Sequence, residues 1–217
     1  MNSIEEAWLA FTQDNYPTAE HLFQSILKND QDESVIRQAQ FGLGYVLAFT
    51  QQFEEARAIF LYLHDDAKKR EAVGEQHRAL HQVGMVERMA GNWLQAKITF
   101  TKEAELIEQL GNLPLPVAVN AYEQGFIALH LNELELAYQW LNCSLEQAEY
   151  TDDQVAVGCA YRALGDYFKQ IGEIEQAQHR WESAKIAFSQ ANDEKAMNDV
   201  QERLKDLNSS SLHNDPK

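Results

Sequence analysis

The chain has 217 residues, 45% of them hydrophobic and 24% charged, with only 10 glycines and 4 prolines. This is too apolar for a disordered chain and fits a folded, helix-rich protein of one or two domains. The formal net charge of −16 argues against nucleic acid as a partner, because phosphate binding needs a basic surface.

No stretch approaches the run of about 18 apolar residues that a membrane helix needs, so no membrane partner is expected. The start, MNSIEEAWLAF, lacks a basic segment followed by an apolar core. A cytoplasmic protein is therefore expected. Cys143 and Cys159 form no C-x-x-C pair and read as buried thiols rather than a disulfide.

Taken in order, residues 3–13 read as a helix with Ile4, Ala7, Trp8 and Phe11 on one face. Asn15 is the expected N-cap of a second helix, with Pro17 in its first turn, and Ala19, Leu22, Phe23, Ile26 and Leu27 follow. A helix over 33–50 turns at Gln51-Gln52 into one over 53–73, with Gly74 as its stop. Helices 75–90 and 93–110 turn at Gly91-Asn92, with Asn92 as the cap, and stop at Gly111-Asn112. The stretch LPLPV, 113–117, reads as a loop because Pro114 and Pro116 do not suit a helix interior. Helices 116–130 and 133–149 turn at Leu131-Asn132. Thr151 to Asp153 then caps helices 153–171 and 173–190, which turn at Gly172. A last helix, 193–207, carries Ala196, Val200, Leu204 and Leu207 as one apolar stripe and is expected to cover the end of the stack. The polar segment 208–217 is expected to be a disordered tail.

One pattern recurs through these elements. Gly44, Gly84, Gly125 and Gly165 stand on first helices, 40, 41 and 40 residues apart. An alanine follows each by twelve residues: Ala56, Ala96, Ala137, Ala177. A large residue follows each alanine by four: Phe60, Phe100, Leu141, Trp181. Self-similarity at such a period marks stacked two-helix repeats. A glycine inside a helix costs about 1 kcal/mol relative to alanine, so four in phase mark a packing demand. The reading is that small residues let paired helices approach and that the large residue fills space between repeats. The expected fold is an all-α, right-handed α-solenoid, a single domain over 1–207. Its repeats run about 3–30, 33–73, 75–112, 116–150 and 153–190, followed by the capping helix.

These residues resemble the tetratricopeptide repeat. Phe41-Gly42-Leu43-Gly44 with Leu47, Ala56 and Phe60 fits its pattern, and Tyr161, Leu164-Gly165, Phe168, Ala177, Trp181 and Ala184 fit it best. The longer period is similar to the repeats of kinesin light chains and of Gram-positive peptide-pheromone receptors. The first repeat lacks the glycine and rests on Ala19 and Phe23.

The resemblance implies a concave groove lined by first helices. The repeat phase projects Ile4, Trp8 and Phe11 there, then Gln38, Phe41, Tyr45 and Phe49, then Arg78, His81, Met85, Arg88 and Met89. Further on it projects Val119, Tyr122, Phe126 and His130, then Arg162, Asp166 and Lys169. Aromatic and methionine side chains would dock apolar groups of a peptide or protein segment, and Arg78, Arg88 or Arg162 would hold a carboxylate or acidic side chain. The positions of the family's chaperone-tail clamp hold Phe41, Tyr45, His81 and Met85 instead of Lys and Asn, so chaperone tails are not the expected ligand.

Catalytic chemistry finds no support in the residues. His77 and His81 are four apart, but the motif is H-R-A-L-H with no evident third ligand. The carboxylates, Glu54-Glu55 and Glu103 with Glu105 among them, read as solvated faces. No G-x-S-x-G or G-x-x-x-x-G-K-[ST] occurs. The expectation is a non-catalytic binding module without cofactor or metal. The alternatives are a homodimeric structural protein pairing through Trp8, Phe11 and Phe23, and a peptide-sensing regulator lacking an effector domain.

Overall fold

The computed structural model describes residues 3–211, and every element in them is helical. Six helices form one compact unit that runs through Leu110: α1 Ser3–Thr12, α2 Tyr16–Asn29, α3 Glu33–Phe49, α4 Phe53–Lys69, α5 Val73–Met89 and α6 Trp93–Gln109. Five form a second unit from Gly111: α7 Pro114–His130, α8 Leu134–Glu149, α9 Gln154–Gln170, α10 Ile174–Gln190 and α11 Glu194–Ser211. Residues 208–211 of the expected tail continue α11, and the remainder lies outside the described residues. Consecutive helices pack within each unit, and first helices also meet, α1 with α3 and α7 with α9.

Side-chain caps start several helices as the sequence suggests. Asn15 accepts from Thr18 N at 3.4 Å, and Asp153 accepts from Val155 N and Ala156 N at 3.0 Å each. Three local expectations are corrected. Gly74 does not stop α4, which ends at Lys69; Gly74 lies in the first turn of α5. Asn92 precedes α6 but gives no side-chain cap, because its amide donates to Glu87 Oε2 at 2.8 Å. Pro114 and Pro116 belong to the first turn of α7, where no backbone N–H partner is required.

Seven helix ends among the described residues share one turn. A residue in the left-handed region, Gln51 (φ 64°) or Gly91 (φ 76°) for example, lets the next N–H reach a carbonyl five residues back. Gln52 N donates to Leu47 O at 2.8 Å, Asn92 N to Glu87 O at 2.8 Å and Glu173 N to Phe168 O at 2.9 Å. The device tolerates Gln51 and Glu71 where glycine would be unstrained. Gln51→Gly is expected to raise stability by about 0.5 to 1 kcal/mol, the relief of left-handed strain exceeding the entropy of a freer unfolded chain. Urea unfolding checks this as a higher midpoint at unchanged slope.

The glycines act differently from the sequence reading. A methyl on Gly44 would lie 2.6 Å from Phe60, on Gly84 2.7 Å from Phe100, and on Gly125 2.7 Å from Leu141. The large residue therefore lies on the glycine of its own pair rather than in a space between repeats. Ala56, Ala96, Ala137 and Ala177 are fully buried beside it. The first repeat has no such glycine, and Phe23 instead lies on Gly42 of α3, where a methyl would be 2.1 Å away. Phe23 is fully buried, so it offers nothing to a second copy of the chain.

Candidate binding surface on the first helices

Positions 38, 41, 45 and 49 recur at helical spacing and share one side of α3. Gln38 is exposed, Phe41 and Tyr45 are half-buried, and Phe49 is 52% exposed. From α1, Trp8 and Phe11 come against this stripe, while Ile4 is buried in the core. Trp8 stands 6.1 Å from Tyr45 between ring centroids, Phe11 6.0 Å from Tyr45 and 5.6 Å from Phe49. Tyr16 of α2 stacks on Phe49 at 5.8 Å with planes 13° apart. Phe41 and Tyr45 each turn an edge to Phe60, which ties the surface aromatics to the core.

Arg78 on α5 is exposed and forms no ion pair among the described residues. Burial pushes the Tyr45 phenol above its ordinary range, and the charge of Arg78 opposes that shift. Met85 and Arg88 are half-buried and Met89 is exposed on the same helix.

His81 is half-buried and engages α6. Its Nδ1 is 3.0 Å from Glu103 Oε1, and its ring meets Phe100 edge-on at 5.5 Å. His77 Nε2 lies 2.9 Å from the same oxygen, without the alignment of a hydrogen bond. Glu103 is only 1% exposed, which corrects its reading as a solvated carboxylate. Its helical phase gives the physical reason: Glu103 follows the buried Thr99 and Phe100 on the inner side of α6. Among the described residues, no group of three or more His, Cys, Asp or Glu could hold a metal ion.

In the second unit, Tyr122 and Phe126 are half-buried on α7 with rings stacked 6.2 Å apart, and His130 meets Phe126 at 4.3 Å. On α9, Arg162 donates to Asp199 Oδ2 of α11 at 3.2 Å and to the Tyr122 hydroxyl at 3.3 Å, and its guanidinium stands 5.5 Å from the Phe188 ring centroid. Its hydrogen-bonding capacity is thus largely committed within the unit. Lys169 is exposed, with Nζ 5.7 Å from the Trp181 ring centroid. Asp166 accepts from Trp181 Nε1 at 3.2 Å and faces Arg203 Nε at 3.5 Å.

Asp199 and Arg203 were missed, because α11 reads as a cap with a solvated back. One signal was available: Asp193 stands 40 residues after Asp153 and caps α11 in the same way, accepting from Ala196 N at 2.9 Å. In that phase α11 follows as a first helix, and its charged residues meet the α9 stripe. Cys143 and Cys159 are free thiols, and burial pushes both above the ordinary range.

Burial also raises the Asp166 carboxyl, with Arg203 opposing the shift. A carboxyl raised in the folded state binds its proton more readily there than in the unfolded chain. Its contribution to stability is therefore fully present below the unfolded value, about 3.9, and is lost as pH rises through the folded one. Asp166→Asn is expected to remove that component, so that the difference in unfolding free energy between variant and wild type grows in favour of the variant as pH rises. Urea unfolding at a series of pH values reads it.

No protein-family model matches the chain, and no curated protein matches it. Solved structures do. A thermophilic TPR protein of Thermus thermophilus is similar at 19% identity over 95% of this chain and 97% of that one, with a TM-score of 0.65. The apo form of RapI is similar at 15% identity over 91% of this chain and 73% of that one, with a TM-score of 0.75. A Rap protein complexed with competence and sporulation factor is similar at 13% identity over 98% of this chain and 66% of that one, with a TM-score of 0.64. The chain has the all-α fold of tetratricopeptide-repeat proteins, a TPR-type α-solenoid. No described helix is long and apolar enough to cross a membrane.

Proposed function

We propose that the chain is a non-catalytic module that binds a protein or peptide segment along the first helices of its repeats. The carrying observation is the stripe of half-buried and exposed aromatics on α3 of the first unit, which also carries arginines on α5; α7 of the second unit carries its own half-buried pair, Tyr122 and Phe126. Monomeric surfaces seldom show clustered aromatics without a binding role, and aromatic and arginine side chains are the residues that dominate interface energetics. Phe41, Tyr45, Tyr122 and Phe126 supply apolar contact, and Arg78 and Arg88 supply charge-assisted bonds to a carboxylate or acidic side chain. Support also comes from the likeness to a Rap protein solved with competence and sporulation factor bound.

A peptide-array or pull-down screen with wild type and the Arg78→Glu/Arg88→Glu variant tests this. A captured segment is expected to be lost, or weakened at least about tenfold, by the double reversal of charge. Undiminished capture contradicts the assignment to the first helices.

A further inference from the structure

One position in the repeat carries a charge in the last repeat alone. Ile59, Thr99 and Trp140 stand three residues after the repeat alanine in α4, α6 and α8, and Arg180 stands there in α10. Arg180 is half-buried, and its Nε is buried with no hydrogen-bond partner. Its two terminal nitrogens are not so buried, and they too have no partner among the described residues. Arg57, Arg70, Arg162 and Arg203 each meet a carboxylate, whereas Arg180 meets none in a chain with 34 acidic residues. A half-buried charge without a counter-ion gives up hydration without a compensating bond.

Aromatic rings hold Arg180 instead. Tyr161 and Phe168 stand two turns apart on one side of α9, about 10 Å along its axis. The guanidinium carbon of Arg180 is 6.0 Å from the Tyr161 ring centroid and 5.9 Å from that of Phe168. Attraction of a cation to ring faces leaves its N–H groups unspent. Glu149 accepts from the Tyr161 hydroxyl at 3.2 Å but forms no ion pair with Arg180. Beyond Phe168 the apolar ground continues onto α8. The Tyr138 ring centroid is 6.1 Å from that of Phe168 and 5.1 Å from that of Tyr167, and Tyr138 is 41% exposed.

We propose that Arg180 is the seat for an acidic side chain of a partner protein segment, with an apolar group of that segment on Tyr138. None of the first-helix residues assigned to the binding surface takes part, so this seat is additional to that surface. The open fork of the guanidinium matches a carboxylate with two parallel bonds. The rings already fix the side chain, which lowers the cost of ordering it on binding. A single cation suits a single negative charge. A phosphate, with nearly two, meets more repulsion from a chain of net charge −16.

Fluorescence polarisation with fluorescein-labelled peptides tests this. The probes carry one Leu and one Glu at varied spacing in a Gly/Ser/Gln background, with glutamine or phosphoserine in place of the glutamate in matched versions. Wild type is expected to bind at least one spacing and to favour glutamate over either replacement by about tenfold. Arg180→Met is expected to lose about tenfold, and Arg180→Lys, which keeps a cation over the rings but not the fork, about threefold. Circular dichroism verifies that the variants fold, and Arg180→Lys decides the matter if Arg180→Met does not. Arg78→Glu/Arg88→Glu is expected to leave this binding unchanged. Binding of no probe, binding undiminished by the Arg180 substitutions, preference for phosphoserine, or loss with Arg78→Glu/Arg88→Glu each overturns the inference. The first-helix reading stands or falls separately, on whether that double variant loses the segment captured in its own screen.

Discussion

Gly165→Ala is expected to destabilise the second unit by about 2 to 3 kcal/mol, even though alanine is the better helix former by about 1 kcal/mol. The added methyl would lie 2.3 Å from Cδ1 and 2.4 Å from Nε1 of Trp181. The indole cannot swing away at low cost. It is fully buried, and its Nε1 donates to Arg162 O and to Asp166 Oδ1 at 3.2 Å each. Moving it would break two hydrogen bonds and disturb the contacts of Ala177 and Ala184, which are also fully buried. Gly74→Ala is the matched control. Nothing lies within 4 Å of its added methyl, and the residue is helical, so a gain of about 0.5 to 1 kcal/mol is expected. Urea unfolding of the two variants should therefore give shifts of opposite sign, and equal shifts would refute the packing account of the recurring glycines.

Arg57→Ala is expected to cost about 3 kcal/mol in the first unit, because it strands a buried charge. Glu87 is 4% exposed on α5. Arg57 of α4 grips it with two donors, Nε at 2.5 Å from Oε1 and Nη2 at 3.0 Å from Oε2, and Asn92 gives a further bond at 2.8 Å. Removing the guanidinium leaves the carboxylate with Asn92 alone among its described hydrogen-bond partners. Glu54 also receives a bond from Arg57, but its side chain is exposed, so Glu54→Ala is expected to stay within about 0.5 kcal/mol of wild type. Adding Glu87→Gln to Arg57→Ala should recover part of the loss, since an amide costs less to leave buried than a charge. A double-mutant cycle on 57 and 87 checks this, and additive losses would count against it.

How much of this was legible in the sequence depended on how local the signal was. Gly44, Ala56 and Phe60 could be placed because their phase repeats in three further units, and periodicity needs no knowledge of neighbours. The contact itself was not readable: that Phe60 covers Gly44 follows from how two helices cross. Gly74 was misread because a glycine near a helix end suggests a stop, whereas Glu71 took the left-handed position there. Glu103 was misread because a glutamate in sequence carries its charge but not the two histidines that face it from α5. On the candidate surface, Phe41, Tyr45 and Phe49 were found by phase alone. The commitment of Arg162 was hidden, since Asp199 comes from a helix 37 residues away.

A crystal structure of the chain with a captured segment tests the central claim most directly. The segment is expected to lie along the first helices, with apolar groups against the aromatic stripe of α3 and an acidic group within hydrogen-bond distance of an α5 arginine. The rival surface is on second helices, where Tyr62 of α4 is 59% exposed and Leu94 of α6 is 68% exposed. A segment seated there, with Tyr45, Phe49 and Arg78 untouched, would contradict the account.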